Sequence, residues 1–241
     1  MFHHHQVPRA ARAVLAAVLL LGAFLPAVAF AQEDPSAAQV SGYTITDDAI
    51  GAFFNQHGGE HAFGEPVSRE LSLFGRPTQL FQKAALQVMD DGSVQALALA
   101  GDSLLPYTSF DGLTVPAADP ALAFIAPAAG EPNYPARLQV FLQAVVREPF
   151  ASAYGDAAVL GLPTSYPKPD PNNPNFVYQR FQNGILFYDA SSGTTQLLPL
   201  GEYLKDILVG EGLPTDLQSE AANSPLLRLH ATGDAFVPDA S

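Results

Sequence analysis

The sequence predicts an α+β protein made of two related units, each a helix followed by a β-hairpin and a third strand, packed together as a pseudo-repeat. Three observations predict it. Two apolar-rich runs flank Asn183-Gly184, a dipeptide that tolerates φ > 0 and favours a tight type I′ hairpin. Gln79, Phe81, Gln82, Leu86, Leu97, Gly101 and Leu104 recur 100 positions later as Gln179, Phe181, Gln182, Leu186, Leu197, Gly201 and Leu204. A helical stripe precedes each hairpin, Ile50, Phe53 and Phe54 in one case and Leu138, Phe141, Leu142 and Val145 in the other.

The elements follow in order. Residues 1–31 combine Arg9 and Arg12, an apolar run from Val14 to Leu25 and the triplet Ala29-Phe30-Ala31, the pattern of a cleaved secretory signal peptide. The run is short for a membrane span, and no later stretch is long and apolar enough for one. Residues 32–45 read as a flexible lead-in. The first unit, 46–105, opens with the N-cap signal Thr46-Asp47-Asp48, and Gly58-Gly59 stops its helix. Ala62-Phe63-Gly64-Glu65-Pro66-Val67-Ser68 is then a rigid turn docking an apolar residue, because glycine permits an unusual φ and proline fixes one. Thr78–Gln82 and Ala85–Met89 form a hairpin, and Val94–Leu99 the third strand.

Residues 106–135 carry Pro106, Pro116, Pro120, Pro127, Pro132 and Pro135 and read as a connector. The second unit, 136–208, repeats the plan: a helix at Ala136–Arg147, the turn Val159-Leu160-Gly161-Leu162-Pro163-Thr164-Ser165, a hairpin about Asn183-Gly184, the strand Thr194–Leu198 and a closing helix at Gly201–Leu208. A two-residue turn sets Phe181 opposite Leu186 and Gln179 opposite Tyr188. Residues 209–241 form a tail with a weak helix at Leu213–Leu229 and a fraying end at Thr232–Ser241.

Composition excludes several function classes. There is no cysteine, so disulfide frameworks and thiolate metal sites are out. The formal charge is −13, and loss of Arg9 and Arg12 with the signal peptide makes it −15. Such a surface repels phosphate backbones, so no nucleic-acid partner is expected.

The second unit resembles the LGFP repeat family. The match runs in order through Leu160-Gly161-Leu162-Pro163-Thr164, Gln179-Arg180-Phe181-Gln182-Asn183-Gly184-Ile185-Leu186-Phe187-Tyr188, Ser192-Gly193-Thr194 and Gly201. The first unit resembles a divergent copy through Phe63-Gly64-Glu65-Pro66 and Gln79-Leu80-Phe81-Gln82. The segment from Gly201 to Leu217 is similar to exported proteins of Chloroflexi-type bacteria. The resemblance implies an exported, surface-associated module that contacts cell-wall glycan, without catalytic residues.

Four residue groups carry candidate chemistry. His57-Gly58-Gly59-Glu60-His61 matches an inverted zinc-peptidase motif, but the two glycines break the helical turn that would align the histidines. Gly101-Asp102-Ser103-Leu104 matches a GDSL esterase signature, yet no downstream Asp-x-x-His completes a triad. Asp170, Asn172, Asn173 and Asn175 offer calcium-type oxygens without EF-hand spacing, so a polar loop is expected. No catalytic residue, metal or cofactor is therefore assigned. The ligand-binding candidates are Tyr178, Arg180 and Phe187, an aromatic and guanidinium face on the outer side of the second hairpin. The competing expectation is that the other unit or the connector covers that face. The sequence thus points to a non-catalytic, secreted or cell-surface module with cell-wall glycan or a surface protein as partner. The alternatives are a secreted hydrolase and a self-assembling surface protein.

Overall fold

The computed structural model describes residues 42–101, 104, 109–110, 113–209, 215, 218 and 233–239. It is an α+β fold with two four-stranded antiparallel sheets and helices around them. Helix α1 (Asp48–Gln56) starts where expected: the Asp47 carboxylate accepts from Ile50 N at 2.9 Å, and Ile50 and Phe54 are buried. Gly58, at φ 104°, ends it, and a second short helix, α2 (Gly59–Phe63), carries Phe63 into the core. The first sheet follows as β1 (Leu71–Leu73), β2 (Arg76–Leu80), β3 (Ala85–Val88) and β4 (Val94–Ala96), in that order.

The segment expected as a bare connector contains structure. Strands β5 (Ser109–Phe110) and β6 (Leu113–Thr114) pair with each other, and helix α3 (Pro120–Ile125) sets Leu122 against Phe141 and Val145. Helix α4 (Tyr134–Val145) is the expected second helix, followed by the short helices α5 (Phe150–Tyr154) and α6 (Ala157–Leu160). The second sheet runs β10-β9-β8-β7, from β7 (Lys168–Pro169), β8 (Phe176–Arg180), β9 (Ile185–Asp189) and β10 (Thr194–Leu197). Each sheet thus has one strand more than the three expected, β1 and β7 adding to the hairpin edges.

The same local hydrogen bonds occur in both sheets. The Ser68 hydroxyl accepts from Leu80 N at 3.0 Å, and that of Ser165 from Arg180 N at 2.9 Å. Gln82 Oε1 accepts from Glu65 N at 3.0 Å, and Gln182 Oε1 from Leu162 N at 2.9 Å. The buried Gln79 Nε2 donates to the Thr44 and Ser68 carbonyls, and Gln179 Nε2 to those of Val145 and Ser165. Gly64 (φ 75°) and Gly161 (φ 71°) adopt the positive φ inferred from the sequence. A Cβ on either would lie 2.6 or 2.7 Å from the Cβ of Gln82 or Gln182, so shape as well as backbone angle demands glycine.

The hairpin register differs from expectation. Gln179 pairs with Leu186, Val177 with Tyr188 and Arg180 with Ile185, leaving Phe181–Gly184 as a four-residue connection. Neither Asn183 nor Gly184 takes a positive φ. The reason is non-local: Gln182 N donates to Leu162 O at 2.9 Å and Asn183 N to Leu160 O at 3.0 Å, so the Leu-Gly-Leu-Pro turn dictates the connection. Gly184 is small for steric reasons, since a Cβ there would meet Leu197 Cδ1 at 2.8 Å. The first hairpin shows the same displacement, with Gln79 rather than Phe81 opposite Leu86. The 100-residue spacing also drifts after β9. Leu86 pairs with Ala96 but Leu186 with Leu197, so Leu97 corresponds to Leu198. The alignment of Gly101 with Gly201 is therefore one residue out.

Both faces of the sheets are buried. Phe81 and Leu86 meet Phe181 and Leu186 with Phe54, Phe63, Val159 and Leu160 in one core, as expected for the inner faces. The opposite faces form a second core from Leu71, Leu73, Leu80, Ala85, Tyr178 and Ile185. That core is capped by helix α7 (Leu200–Val209), which brings Leu200, Tyr203, Leu204, Ile207 and Leu208. Helix α7 follows the second sheet but packs on β2 of the first. Gly201 sits so close that a Cβ would be 1.7 Å from Phe81 O, and Glu202 N donates to Gln82 O at 3.0 Å.

The ends also depart from expectation. The segment placed at a fraying terminus holds a 3-10 turn, Gly233–Phe236, with Ala235 buried. Tyr43 OH donates to Phe236 O at 2.7 Å, and Asp239 accepts from Thr44 N and pairs with Arg69 at 2.8 Å, so lead-in and tail hold each other. Residues 1–41, Ser103 and nearly all of Leu213–Leu229 lie outside the described residues.

Candidate functional site

The ligand-binding candidates on the second hairpin are not at the surface. Tyr178 is 0% exposed, Arg180 is 1% exposed, and Phe187 is half-buried against the α7-capped core. The Tyr178 and Phe187 rings lie 6.1 Å apart and both adjoin Phe176, forming an aromatic packing cluster. Alternation placed these residues on one face correctly, and residues of the first sheet with α7 cover that face. A wall-facing platform of Tyr178, Arg180 and Phe187 is corrected to a core.

Open space lies elsewhere. A groove of about 630 Å³ runs between the end of α1, α2 and the Lys83 turn on one side and α5, Asp156 and β10 on the other. Its floor is apolar, from Val159, Leu160, Leu186 and Leu197, and its walls carry Gln56, His57, His61, Lys83, Ser152, Asp156, Thr195 and Gln196. A second hollow of about 510 Å³ lies under α3 and is lined largely by alanine and proline.

The His57–Glu60–His61 group now has a definite geometry. His57 caps α1, and its ring lies 4.2 Å from that of Phe53. Its Nδ1 is bonded to Asp156 Oδ2, a residue 99 positions away. Glu60 and His61 fall on α2 and are exposed, so the motif does not converge on a metal. Among the described residues, no group of three or more His, Asp or Glu side chains is arranged to hold a metal ion.

Asp156 also caps α6, its Oδ1 accepting from Ala158 N at 2.8 Å. Burial pushes the Asp156 carboxyl up, but the Ala158 amide and His57 outweigh it and hold its pKa below the usual value. Burial lowers the pKa of Lys83, whose Nζ donates to His61 O at 2.9 Å. Tyr154 is pushed well up by burial and by Asp156, and its hydroxyl donates to Gly161 O at 2.8 Å. The Ser152 hydroxyl donates to the Glu148 carboxylate.

Asp170 explains the Pro-Asp-Pro-Asn loop without an ion. It is 2% exposed, and its carboxylate accepts from the amides of Thr114, Asn172 and Asn173. Burial pushes its pKa up, yet these three donors prevail and hold it below the usual value. Asp170 thus ties β6 to the loop. The sequence singled out His57 and His61 but gave no signal for Asp156, Ser152 or Lys83, because the fold alone brings them to one groove. Compared with models of known protein families and with curated protein sequences, the chain matches none.

Proposed function

We propose that this chain is a non-catalytic, exported module of the bacterial cell envelope, in which two copies of an LGFP-like unit build one binding site for cell-wall polysaccharide. The signal-peptide pattern of residues 1–31 and the family resemblance support the address and the partner class. The observation that carries the site is the groove between α1–α2 and α5–α6. It is open and walled by hydrogen-bonding side chains over an apolar floor, the mixture that suits a sugar's hydroxyl edge and its C–H face. The test is co-sedimentation of the protein with insoluble cell-wall polysaccharide beside a His61→Ala/Gln196→Ala variant. Saturable binding that is lost in the variant supports the reading. Equal sedimentation of both proteins moves the site out of the groove, and no sedimentation of either removes the wall-binding function.

One observation favours a second reading, a secreted hydrolase. His57 meets Asp156 through Nδ1, the orientation by which a carboxylate holds a general base, and Ser152 lines the same groove. The Ser152 hydroxyl, however, donates to Glu148. Ester hydrolysis by the wild type that disappears in both Ser152→Ala and His57→Gln would establish this reading in place of the first.

A further inference from the structure

We infer that α3 is a self-association surface: Phe124 of one copy of this chain fills the hollow under α3 of a second copy, which returns the contact. Phe124 is 91% exposed, the least covered large apolar side chain among the described residues. The other faces of α3 are used. Leu122 packs on Phe141 and Val145 of α4, while Pro120 and Ala123, with Ala126 and Pro127 at the helix exit, line the hollow of about 510 Å³. Consecutive helical residues point about 100° apart, so Phe124 stands beside the wall that Ala123 forms. One surface thus carries a projecting ring and, next to it, a cavity with room for such a ring. The hollow's polar members are engaged: Asp119 caps α3 through Ala121 N, and Gln182 Oε1 accepts from Leu162 N. Alanine, proline and Leu162 are left to meet an incoming side chain. A knob and a hole on one patch are what a two-fold contact uses, because the patch then fits itself.

Charge selects the partner. The chain carries 24 acidic residues against 11 Lys and Arg, so two copies repel one another at long range. From residue 120 to 146 the only charged side chains are Glu131 and Arg137, and these two pair with each other. The exposed positions Ala121, Ala123, Phe124, Ile125, Ala128 and Ala129 are apolar throughout. This neutral face is where two acidic copies can meet, since charged residues are depleted from the centre of protein interfaces. A cationic partner is drawn to the acidic remainder of the chain, and an anionic lipid or glycan is repelled by it. A buried phenylalanine covers about 150–250 Å², and the walls it meets lose a similar area. Two reciprocal rings with Ile125 beside them therefore reach roughly the 1,000 Å² at which a specific interface begins, so the association is weak and reversible. No residue lines both this hollow and the groove between α1–α2 and α5–α6, so the contact does not use the groove.

The test is sedimentation velocity of the protein from about 1 µM to about 200 µM, beside Phe124→Ala, Ala123→Glu and Phe74→Ala. The expected result is a reversible monomer–dimer equilibrium that tightens with added salt, which screens the repulsion between acidic copies. Phe124→Ala removes two rings per dimer and weakens it about a hundredfold or more. Ala123→Glu keeps the ring but sets a carboxylate at the hollow, and weakens the dimer at least about tenfold. Phe74→Ala removes a half-exposed phenylalanine from the β1–β2 turn and leaves the equilibrium unchanged. A monomer at every concentration overturns the inference. A dimer that Phe124→Ala or Ala123→Glu leaves intact, in a variant whose circular dichroism matches the wild type, places the contact elsewhere and overturns it too. Association that Phe74→Ala weakens as much as Phe124→Ala marks indiscriminate apolar contact, with the same consequence.

Discussion

Gly201→Ala tests the packing of the two halves directly. In an ordinary helix, alanine for glycine raises stability by about 1 kcal/mol. Position 201 lies in the first turn of α7, but a Cβ there would fall 1.7 Å from Phe81 O and 2.6 Å from Ala84 O. Both obstacles are backbone atoms of the first hairpin and cannot rotate away. A carbon–oxygen contact needs about 3.3 Å, so α7 must retreat by roughly 1.6 Å from β2. That retreat breaks the Glu202 N to Gln82 O bond and loosens Leu200, Leu204 and Ile207 from Leu73 and Leu80. Overpacking costs about 1–3 kcal/mol and the lost bond about 1 kcal/mol, so a net loss of about 1–3 kcal/mol remains after the helical gain. Gly51→Ala is the matched control. It is a helical glycine whose added Cβ would meet Ile45 Cγ2 at an ordinary 3.7 Å, so it should stabilise by about 0.5–1 kcal/mol. Urea unfolding followed by circular dichroism reads both. A Gly201→Ala protein as stable as the wild type would refute the docking of α7 on the first sheet.

Ser68→Ala and Ser165→Ala should each cost about 1–3 kcal/mol, because each leaves a strand amide, Leu80 N or Arg180 N, buried without its acceptor; the two losses should be similar in chemical denaturation. The depressed pKa of Asp170 contributes stability above its unfolded pKa, and that contribution is lost as pH falls through the lower folded value. Asp170→Asn should therefore destabilise at pH 7, and its melting temperature should converge with that of the wild type in acid. Asp206 has the opposite sign: burial raises its pKa despite Lys205, so its ionised form is a native-state penalty at neutral pH that fades as pH falls. Asp206→Asn should melt higher than the wild type at pH 7, with the gap closing in acid.

What was legible in the sequence was what one strand or one turn decides alone. Alternation placed Tyr178, Arg180, Ile185 and Phe187 on one face, and a register error of two residues preserves that parity. The Gly-x-Pro turns were legible because glycine and proline restrict the backbone locally. The hairpin register was not, since the carbonyls of Leu160 and Leu162 claim the amides of Asn183 and Gln182 from outside the hairpin. The cover of the Tyr178 face was legible in part: residues of the first sheet lie over it, as one of the two expectations had it, but the share of α7 was not foreseen. The groove was least legible of all. Its histidines stood out as a motif, but Asp156, the partner of His57, lies 99 positions on, and Lys83 belonged to no motif.

The packing of α7 on β2 also sets an order of events in the life of the chain. The first sheet is translated before the residues that close its second core, Leu200 through Leu208, which come only after the whole second sheet. Until they arrive, Leu71, Leu73 and Leu80 have no lid, and the large sequence separation of these contacts makes the closing step slow. That core of the first sheet therefore stays open until α7 is made. Folding of the first sheet is thus completed by a segment from beyond the second sheet, and a truncation before α7 would leave that core open.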